Sequence, residues 1–195
     1  MRELSACLAQ SRSGPLFLAS EHITERLLEP LAEATTNDAI SHLDEFTSHL
    51  ETLSAWDADA PHGKNTETVF VLERFHISLG SHISGIDWAS LANIDNRLSS
   101  LNTLIVWCSL PDDQLLERSV RSPLSYRNSY WKSYLATLGA DENMQADHFR
   151  NEQNRLEALF RQSILEKIRI EICRENVREI AQMLTRRHLP SDNRD

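Results

Sequence analysis

TVFVLE (Thr68–Glu73) is apolar at nearly every position and rich in β-branched and aromatic side chains. A second run of this kind is TLIVWCS (Thr103–Ser109), and a shorter one is LFLAS (Leu16–Ser20). Continuous apolar runs of this length are typical of strands covered on both faces in a parallel sheet. IRIEIC (Ile168–Cys173) alternates instead, which indicates an edge strand with one wetter face.

Helical patterns fill the intervals between these four runs. The sequence predicts a short helix around Leu4 and Leu8, a helix along the apolar stripe from Ile40 to Leu53, a loop over Asp57–Asn65, a long helix over Gln145–Lys167 whose buried face includes Phe149 and Ile164, and a final helix over Asn176–Arg187. Because helix and strand alternate along the chain, we expect a three-layer α/β domain with a mainly parallel sheet. The 195 residues suit a single domain, 1–195.

Composition narrows the class of protein. Twenty Lys and Arg against twenty-nine Asp and Glu give a net charge of −9, which argues against a general nucleic-acid coat. No apolar run approaches the roughly 20 residues that span a bilayer, and the N-terminus does not read as a secretory signal. Cys7, Cys108 and Cys173 are widely spaced, and we expect the last two to be reduced and buried in strands. These features predict a cytoplasmic protein with neither a nucleic-acid nor a membrane partner.

Polar residues follow the predicted strands, where ligands bind in an open parallel sheet. Glu21 comes directly after the first strand, and Glu73 and Arg74 end the second. Two charges at the end of a buried run require partners, so this pair indicates either a binding site or a structural ion pair.

The stretch from Gln114 to Lys132 is basic against an acidic background. It holds Arg118, Arg121 and Arg127, and the first two would share a face on an α-helix. Clustered arginines can clamp a polyphosphate, but they can also form a plain basic surface patch. The tyrosines of this region, Tyr126, Tyr130 and Tyr134, recur every four residues, a stripe that favours packing over a base-stacking platform.

The sequence carries none of the common catalytic or metal-binding signatures. GxSxG, HExxH, GxGxxG and CxxC do not occur, and no histidine has a partner at metal-ligand spacing. A metal cage built by protein side chains is therefore not expected.

VFVLERF (Val69–Phe75) and TLIVWCSLPDDQLLERSVRSP (Thr103–Pro123), followed by IRIEIC and NVREIAQML, resemble the P-loop kinases of the thymidylate kinase and deoxynucleoside kinase group. The first segment is similar to the strand of that group that ends in Asp-Arg or Glu-Arg. The second is similar to the next strand and the arginine-rich lid, here about residues 112–140. The likeness extends over nearly the whole chain by element order.

The resemblance implies an ATP-dependent phosphotransferase with Mg²⁺ as cofactor and a nucleoside or nucleotide as the small-molecule acceptor. Glu73 would hold Mg²⁺ or activate the acceptor, and Arg74 would face the acceptor's phosphate or hydroxyl. The lid arginines Arg118, Arg121 and Arg127 would meet the phosphates during transfer. Glu21 would correspond to the carboxylate near the acceptor sugar, and a homodimer is compatible with the group.

One departure concerns the phosphate loop of that group. GxxxxGK[ST] does not occur, and Gly63-Lys64 is followed by Asn65. The opening MRELSACLAQ looks like the helix that follows this loop, with the loop and the central first strand of the sheet missing. The second and third strands here would then pair directly or leave a gap. Either the chain starts at an internal methionine of a longer kinase, or it is an inactive remnant that serves as a binding or regulatory module. A third reading is an α-rich interaction protein with a small sheet.

Overall fold

The four apolar runs form strands, as the sequence predicts, and the described parts of the segments between them are mostly helical. A computed structural model of the protein describes residues 2–11, 14–20, 35–59, 68–83, 85–127, 129–172 and 176–188. The strands are β1 (Leu16–Ala19), β2 (Val69–Leu72), β3 (Leu104–Ser109) and β4 (Glu166–Glu171). The fold is mixed α/β, and its short strands pair in parallel.

The helices follow the same order along the chain. They are α1 (Arg2–Ser11), α2 (Thr36–Asp59), α3 (His76–His82), α4 (Trp88–Ser99), α5 (Ser129–Leu138), α6 (Glu142–Gln162) and α7 (Val177–His188). Between β3 and α5 lie a 3-10 turn (Asp112–Gln114), a π-helix (Leu116–Arg121) and a short helical turn (Ser122–Leu124).

Side-chain caps fix where several helices begin. Asp87 precedes α4 and accepts a hydrogen bond from the Ser90 amide at 3.0 Å. Asp141 precedes α6 and accepts from the amides of Asn143 and Met144, both at 2.9 Å. Each carboxylate satisfies amide groups that have no partner inside the first helical turn.

The strands form two separate two-stranded ladders rather than one continuous sheet. β1 pairs with β2 from Leu16↔Val69 to Ala19↔Leu72, and β3 pairs with β4 from Leu104↔Glu166 to Ser109↔Glu171. Within the described ranges β2 and β3 share no ladder, so the direct pairing of these two strands is not seen there.

Two helix predictions were wrong at their ends. α2 continues to Asp59, so Asp57–Asp59 is helical and not part of the predicted loop. The sequence has no proline or glycine before Pro61 that would end the helix earlier. Residues 60–67, the rest of the predicted loop, lie outside the described residues. α6 ends at Gln162, and the chain enters β4 at Glu166. Ile164, predicted on the buried face of the helix, lies beyond the helix end and is 63% exposed.

The main core lies between the helices and the inner strands. Its buried residues come mostly from α2, α3, α4 and α6, with Leu43, Leu91 and Ile94 almost without exposed surface. Phe70 of β2 and Ile105 of β3 pack against this same core, so both ladders share it. Burial of this apolar surface is the main stabilising contribution to the fold.

The predicted lid, residues 112–140, has a small core of its own. Val120, Leu135 and Ala146 are buried together, and Trp131 and Phe149 pack against them. The lid is therefore fastened to the first half of α6 and not to the main core. Within the described ranges, no helix has both the length and the apolar character needed to cross a membrane.

Some side chains of β1 and β3 are more exposed to solvent than their apolar runs predict. Phe17 and Leu18 of β1 are 52% and 48% exposed. Cys108 of β3 is also exposed, so its predicted burial was wrong, because β3 has a ladder partner on one side only within the described ranges. Cys173 lies outside the described residues.

Candidate functional site

Glu73 and Arg74 lie where β2 ends, as the sequence predicts. The Glu73 amide donates to the Ala19 carbonyl at 2.8 Å and so extends the ladder by one residue beyond Leu72. Arg74 is in the left-handed region, with φ of +55°. Left-handed backbone is unfavourable for a side chain larger than glycine, and such residues cluster at functional sites. The turn at Arg74 directs the chain sharply into α3.

Helix α6 holds the end of β3 through Gln153. The Gln153 amide nitrogen donates to the Leu110 carbonyl, and its amide oxygen accepts from the Leu110 N–H, both at 3.0 Å. One side chain thus satisfies both backbone groups of the residue that follows β3. This contact places the carboxyl end of β3 beside the middle of α6.

The neighbouring residue, Glu152, connects α6 to α3 and to the end of β2. Its carboxylate is hydrogen-bonded to Nε2 of His82, the last residue of α3. Burial by itself raises the pKa of the Glu152 carboxyl, but the hydrogen bond from His82 and the positive charges of His82, Arg74 and His148 hold that pKa below its ordinary value.

Arg118 lies at the carboxyl end of β4. Its Nη1 donates to the Ile172 carbonyl, directly after the strand, and to Oε1 of Gln114 at 3.4 Å. Arg74, Gln153 and Arg118 thus each lie at the carboxyl end of a strand, which is β2, β3 and β4 in turn. Only β3 and β4 share a ladder, and the carboxyl end of a parallel ladder is where an open parallel sheet binds its ligands.

The other two lid arginines lie elsewhere. Arg121 forms an exposed ion pair with Glu142 of α6 at 2.8 Å, and Arg127 stacks over the Trp131 ring, 4.1 Å from its centre. Arg118 and Arg121 do not share a contact surface, because the helix that carries them has π rather than α geometry. Glu21, the remaining predicted site residue, lies outside the described residues.

The tyrosine stripe is only partly packed. Tyr134 is half-buried and lies against Trp131, with ring centres 5.1 Å apart. Tyr126 and Tyr130 are 69% and 76% exposed, against the packing that the sequence favours. Residues 125–127 form a turn and a bend, and α5 begins only at Ser129, so the periodicity of one continuous α-helix does not extend from Tyr126 to Tyr130.

Sequence reasoning missed Glu152, His82 and Gln153. Glu152 contacts a residue 70 positions away in sequence, and Gln153 one 43 positions away, so no local pattern marks either of them. A signal did exist for Asp95, because it interrupts the apolar stripe of α4 between Ile94 and Leu98. Within the described ranges no group of three or more His, Cys, Asp or Glu is arranged to hold a metal ion.

Comparison with protein-family models, with curated proteins and with solved structures finds no match to this chain.

Proposed function

We propose that the protein is related to the nucleoside and nucleotide kinases, with a three-layer P-loop-kinase-like domain. In this proposal it transfers the γ-phosphoryl group of Mg-ATP to a small nucleoside or nucleotide in the cytoplasm. The strand and phosphate loop that the sequence lacks would come from a segment upstream of residue 1.

One observation carries the proposal: Glu73 and Arg74 follow the last residue of a strand in a parallel ladder, and Arg118 binds the backbone at the carboxyl end of β4, a strand in the other parallel ladder. In the proposal a fifth strand would join the two ladders into one parallel sheet. Its following loop would lie at the edge where Arg74 lies.

The chemistry assigned to this edge is phosphoryl transfer. The acceptor oxygen forms a bond to the γ-phosphorus while the bond from that phosphorus to the β–γ bridging oxygen breaks, and ADP leaves. Glu73 would accept the proton of an acceptor hydroxyl or hold Mg²⁺, and Arg74 would bind the acceptor. Arg118, Arg121 and Arg127 would stabilise negative charge on the phosphates, which requires Arg121 and Arg127 to leave their present partners.

The test compares two proteins by calorimetry with Mg-ATP. The 195-residue chain should bind ATP weakly or not at all, because lid arginines do not replace the backbone amides and lysine of a phosphate loop. The chain extended upstream by a strand and GxxxxGKS should bind ATP and phosphorylate one member of a panel of nucleosides and monophosphates. The matched control carries GxxxxGAS. Tight ATP binding by the 195-residue chain, or none by the extended one, contradicts the proposal.

An inactive interaction module is the second candidate. The exposed side chains of Tyr126 and Tyr130 favour this candidate. So do Arg121 and Arg127, because each already contacts another side chain of the same molecule. Large exposed aromatic side chains are enriched at protein interfaces. In this case both proteins in the ATP experiment give no heat of binding.

A further inference from the structure

The lid presents two tyrosines that its small core does not use. Tyr126 and Tyr130 are 69% and 76% exposed, and the aromatic packing of the lid core comes from Trp131 and Phe149 instead. Among the described residues, the hydroxyl groups of Tyr126 and Tyr130 form no hydrogen bond. An exposed ring that neither packs nor bonds within its own molecule can contact a ligand with its whole face.

A contact between Arg127 and Trp131 brings these tyrosines to the same end of the lid. The Arg127 guanidinium lies over the Trp131 ring, 4.1 Å from its centre. Tyr126 and Tyr130 directly precede the two residues of this contact in the sequence. The turn is fixed by Pro123, whose carbonyl accepts from the amides of Tyr126 and Arg127 at 3.2 and 2.8 Å.

The part of the lid that carries the tyrosines is basic. Residues 118–140 hold no Asp or Glu and four cations, which are Arg118, Arg121, Arg127 and Lys132. Arg127 and Lys132 are exposed, and among the described residues neither forms an ion pair. Both charges are therefore available to a negatively charged ligand.

The carboxylates that begin the neighbouring helix α6 have other partners. Glu142 pairs with Arg121 at 2.8 Å, and Asp147 pairs with Arg150. Asp141 accepts two hydrogen bonds from amides in the first turn of α6. In the described part of the chain these three carboxylates do not pair with the cations beside the tyrosines, so a ligand that binds there supplies the negative charge.

We propose that the tyrosine end of the lid, formed by Tyr126, Arg127, Tyr130 and Lys132, binds single-stranded nucleic acid. Each tyrosine ring stacks on a base and each cation contacts a phosphate, since surfaces that bind single strands combine aromatic side chains with positive charge. An acidic peptide would offer carboxylates to the cations but no bases to the rings. The net charge of −9 restricts such binding to this local surface.

This inference names a partner class for the second candidate function, the interaction module, and rests on that candidate. It keeps Arg127 on the Trp131 ring, whereas phosphoryl transfer would require Arg127 to leave it. Binding of a strand at this surface does not involve ATP, so it can be measured independently of the kinase hypothesis.

The first experiment measures binding of the 195-residue chain to labelled oligothymidylate and oligouridylate by fluorescence anisotropy, and the two probes distinguish DNA from RNA. Tyr126→Ala and Tyr130→Ala should each weaken binding about tenfold, the effect of one lost stacking contact. Tyr126→Phe and Tyr130→Phe keep the ring and should bind within about twofold of wild type. Arg155→Ala, at an exposed position of α6, is the control. Because both tyrosines are exposed, circular dichroism should show the alanine variants folded as wild type.

The second experiment measures the salt dependence of the same binding. With two cations on phosphates, the logarithm of the association constant should fall with the logarithm of salt concentration with a slope of about −1.4. Lys132→Gln should reduce the magnitude of this slope by about 0.7. A duplex should bind about tenfold more weakly than the single strands, because its bases stack on one another and are not available to the tyrosine rings.

Three results overturn the inference. These are the absence of binding to either strand, binding that Tyr126→Ala and Tyr130→Ala leave unchanged, and tighter binding of polyglutamate than of either strand, which would assign the surface to an acidic protein. Strand binding by the 195-residue chain without ATP binding by the extended chain refutes the kinase function alone. ATP binding by the extended chain without strand binding refutes this inference alone.

Discussion

His76 and Asp95 lie side by side in the core, with Nε2 of His76 2.9 Å from Oδ1 of Asp95. They are only 4% and 1% exposed. Asp95 also accepts from the Ser163 hydroxyl at 2.7 Å and from the Ile164 amide at 2.8 Å. This buried network joins the first residue of α3, two positions after Arg74, to α4 and to the entry of β4. It therefore holds the turn at the candidate site against the second ladder.

Removing the carboxylate should destabilise the whole domain. Asp95→Asn keeps the size of the side chain but replaces one acceptor with an NH₂ group that can be turned against the Ile164 amide. We expect the free energy of unfolding to fall by about 2–4 kcal/mol, the cost of leaving buried polar groups unsatisfied. Urea unfolding followed by circular dichroism measures it, and Ser163→Ala should cost about 1 kcal/mol. A loss below that of Ser163→Ala would show that the network contributes little.

The stability that Asp95 contributes should depend on pH in the acidic range. Burial raises the pKa of the Asp95 carboxyl, but hydrogen bonds from His76, Ser163 and the Ile164 amide outweigh burial and leave it below its ordinary value. Because the folded pKa is lower than the unfolded one, near 4, the stabilisation is complete above pH 4 and is lost as pH falls through the folded pKa. The difference in urea midpoint between wild type and Asp95→Asn should stay constant from pH 7 to 5 and shrink below pH 4. A difference that grows on acidification contradicts this sign.

Gly139→Ala should disrupt the junction of α5 and α6. A Cβ atom at Gly139 would lie 2.5 Å from the Met144 Cβ and 3.0 Å from the Gln145 backbone nitrogen. Because backbone atoms cannot move aside as a flexible side-chain end can, we expect a loss of about 1–3 kcal/mol in thermal or urea unfolding. Ala140→Ser, at an exposed neighbouring position, should stay close to wild type.

Arg97→Met should loosen α4 from α2. The guanidinium of Arg97 binds Asp44 at 2.5 Å, Ser48 at 2.7 Å and Glu51 at 2.6 Å, all on α2. Since Asp44 and Glu51 are 52% and 37% exposed, water and salt screen the pairs, and we expect a loss of only about 1 kcal/mol that becomes smaller in 1 M NaCl. The exposed Arg155→Met gives the baseline. If the loss of unfolding free energy were the same at low and high salt, the contribution of Arg97 would come from packing and not from its ion pairs.

In the protein extended by a strand and phosphate loop, Arg74→Ala should reduce turnover by about 10²–10³-fold, because a charge placed against the acceptor acts mainly in the transition state. The backbone cost of this left-handed position is the same for alanine and arginine, so urea unfolding of the variant measures what the Arg74 side chain contributes, including its charge acting on Glu152. Coupled kinase assays measure turnover, and Arg155→Ala is the control. Turnover within threefold of wild type would remove Arg74 from the proposed site.

The strands were predictable from the sequence, because short apolar runs rich in β-branched and aromatic residues are typical of strands. Their separation into two ladders was not, since pairing depends on contacts between distant segments. The end of α6 shows the same limit: the apolar stripe continues to Ile164, but the hydroxyl of Ser163 and the amide of Ile164 are bound by Asp95, more than sixty residues earlier. Local periodicity gives no indication of these long-range hydrogen bonds, which end the helix before Ile164.

The residues of the candidate site were also predictable only in part. Glu73 and Arg74 were predictable because strand ends in parallel sheets collect polar residues, and the structure places Arg118 at the end of another strand, β4. The prediction that Arg118 and Arg121 share a helix face was wrong, because it assumes an α-helix and the segment is a π-helix. Gln153 reads as an ordinary polar residue of a helix until its partner on Leu110 is known.

The pairing of β1 with β2 also has a consequence during synthesis. Leu16 meets Val69, so the ribosome must add more than fifty residues before the partner of β1 exists. At about 5–20 residues per second this takes several seconds, so β1 cannot form its ladder as it is made and must wait for β2. Until β2 has also left the ribosome, the apolar side chains of Phe17 and Leu18 lack the strand with which they pair.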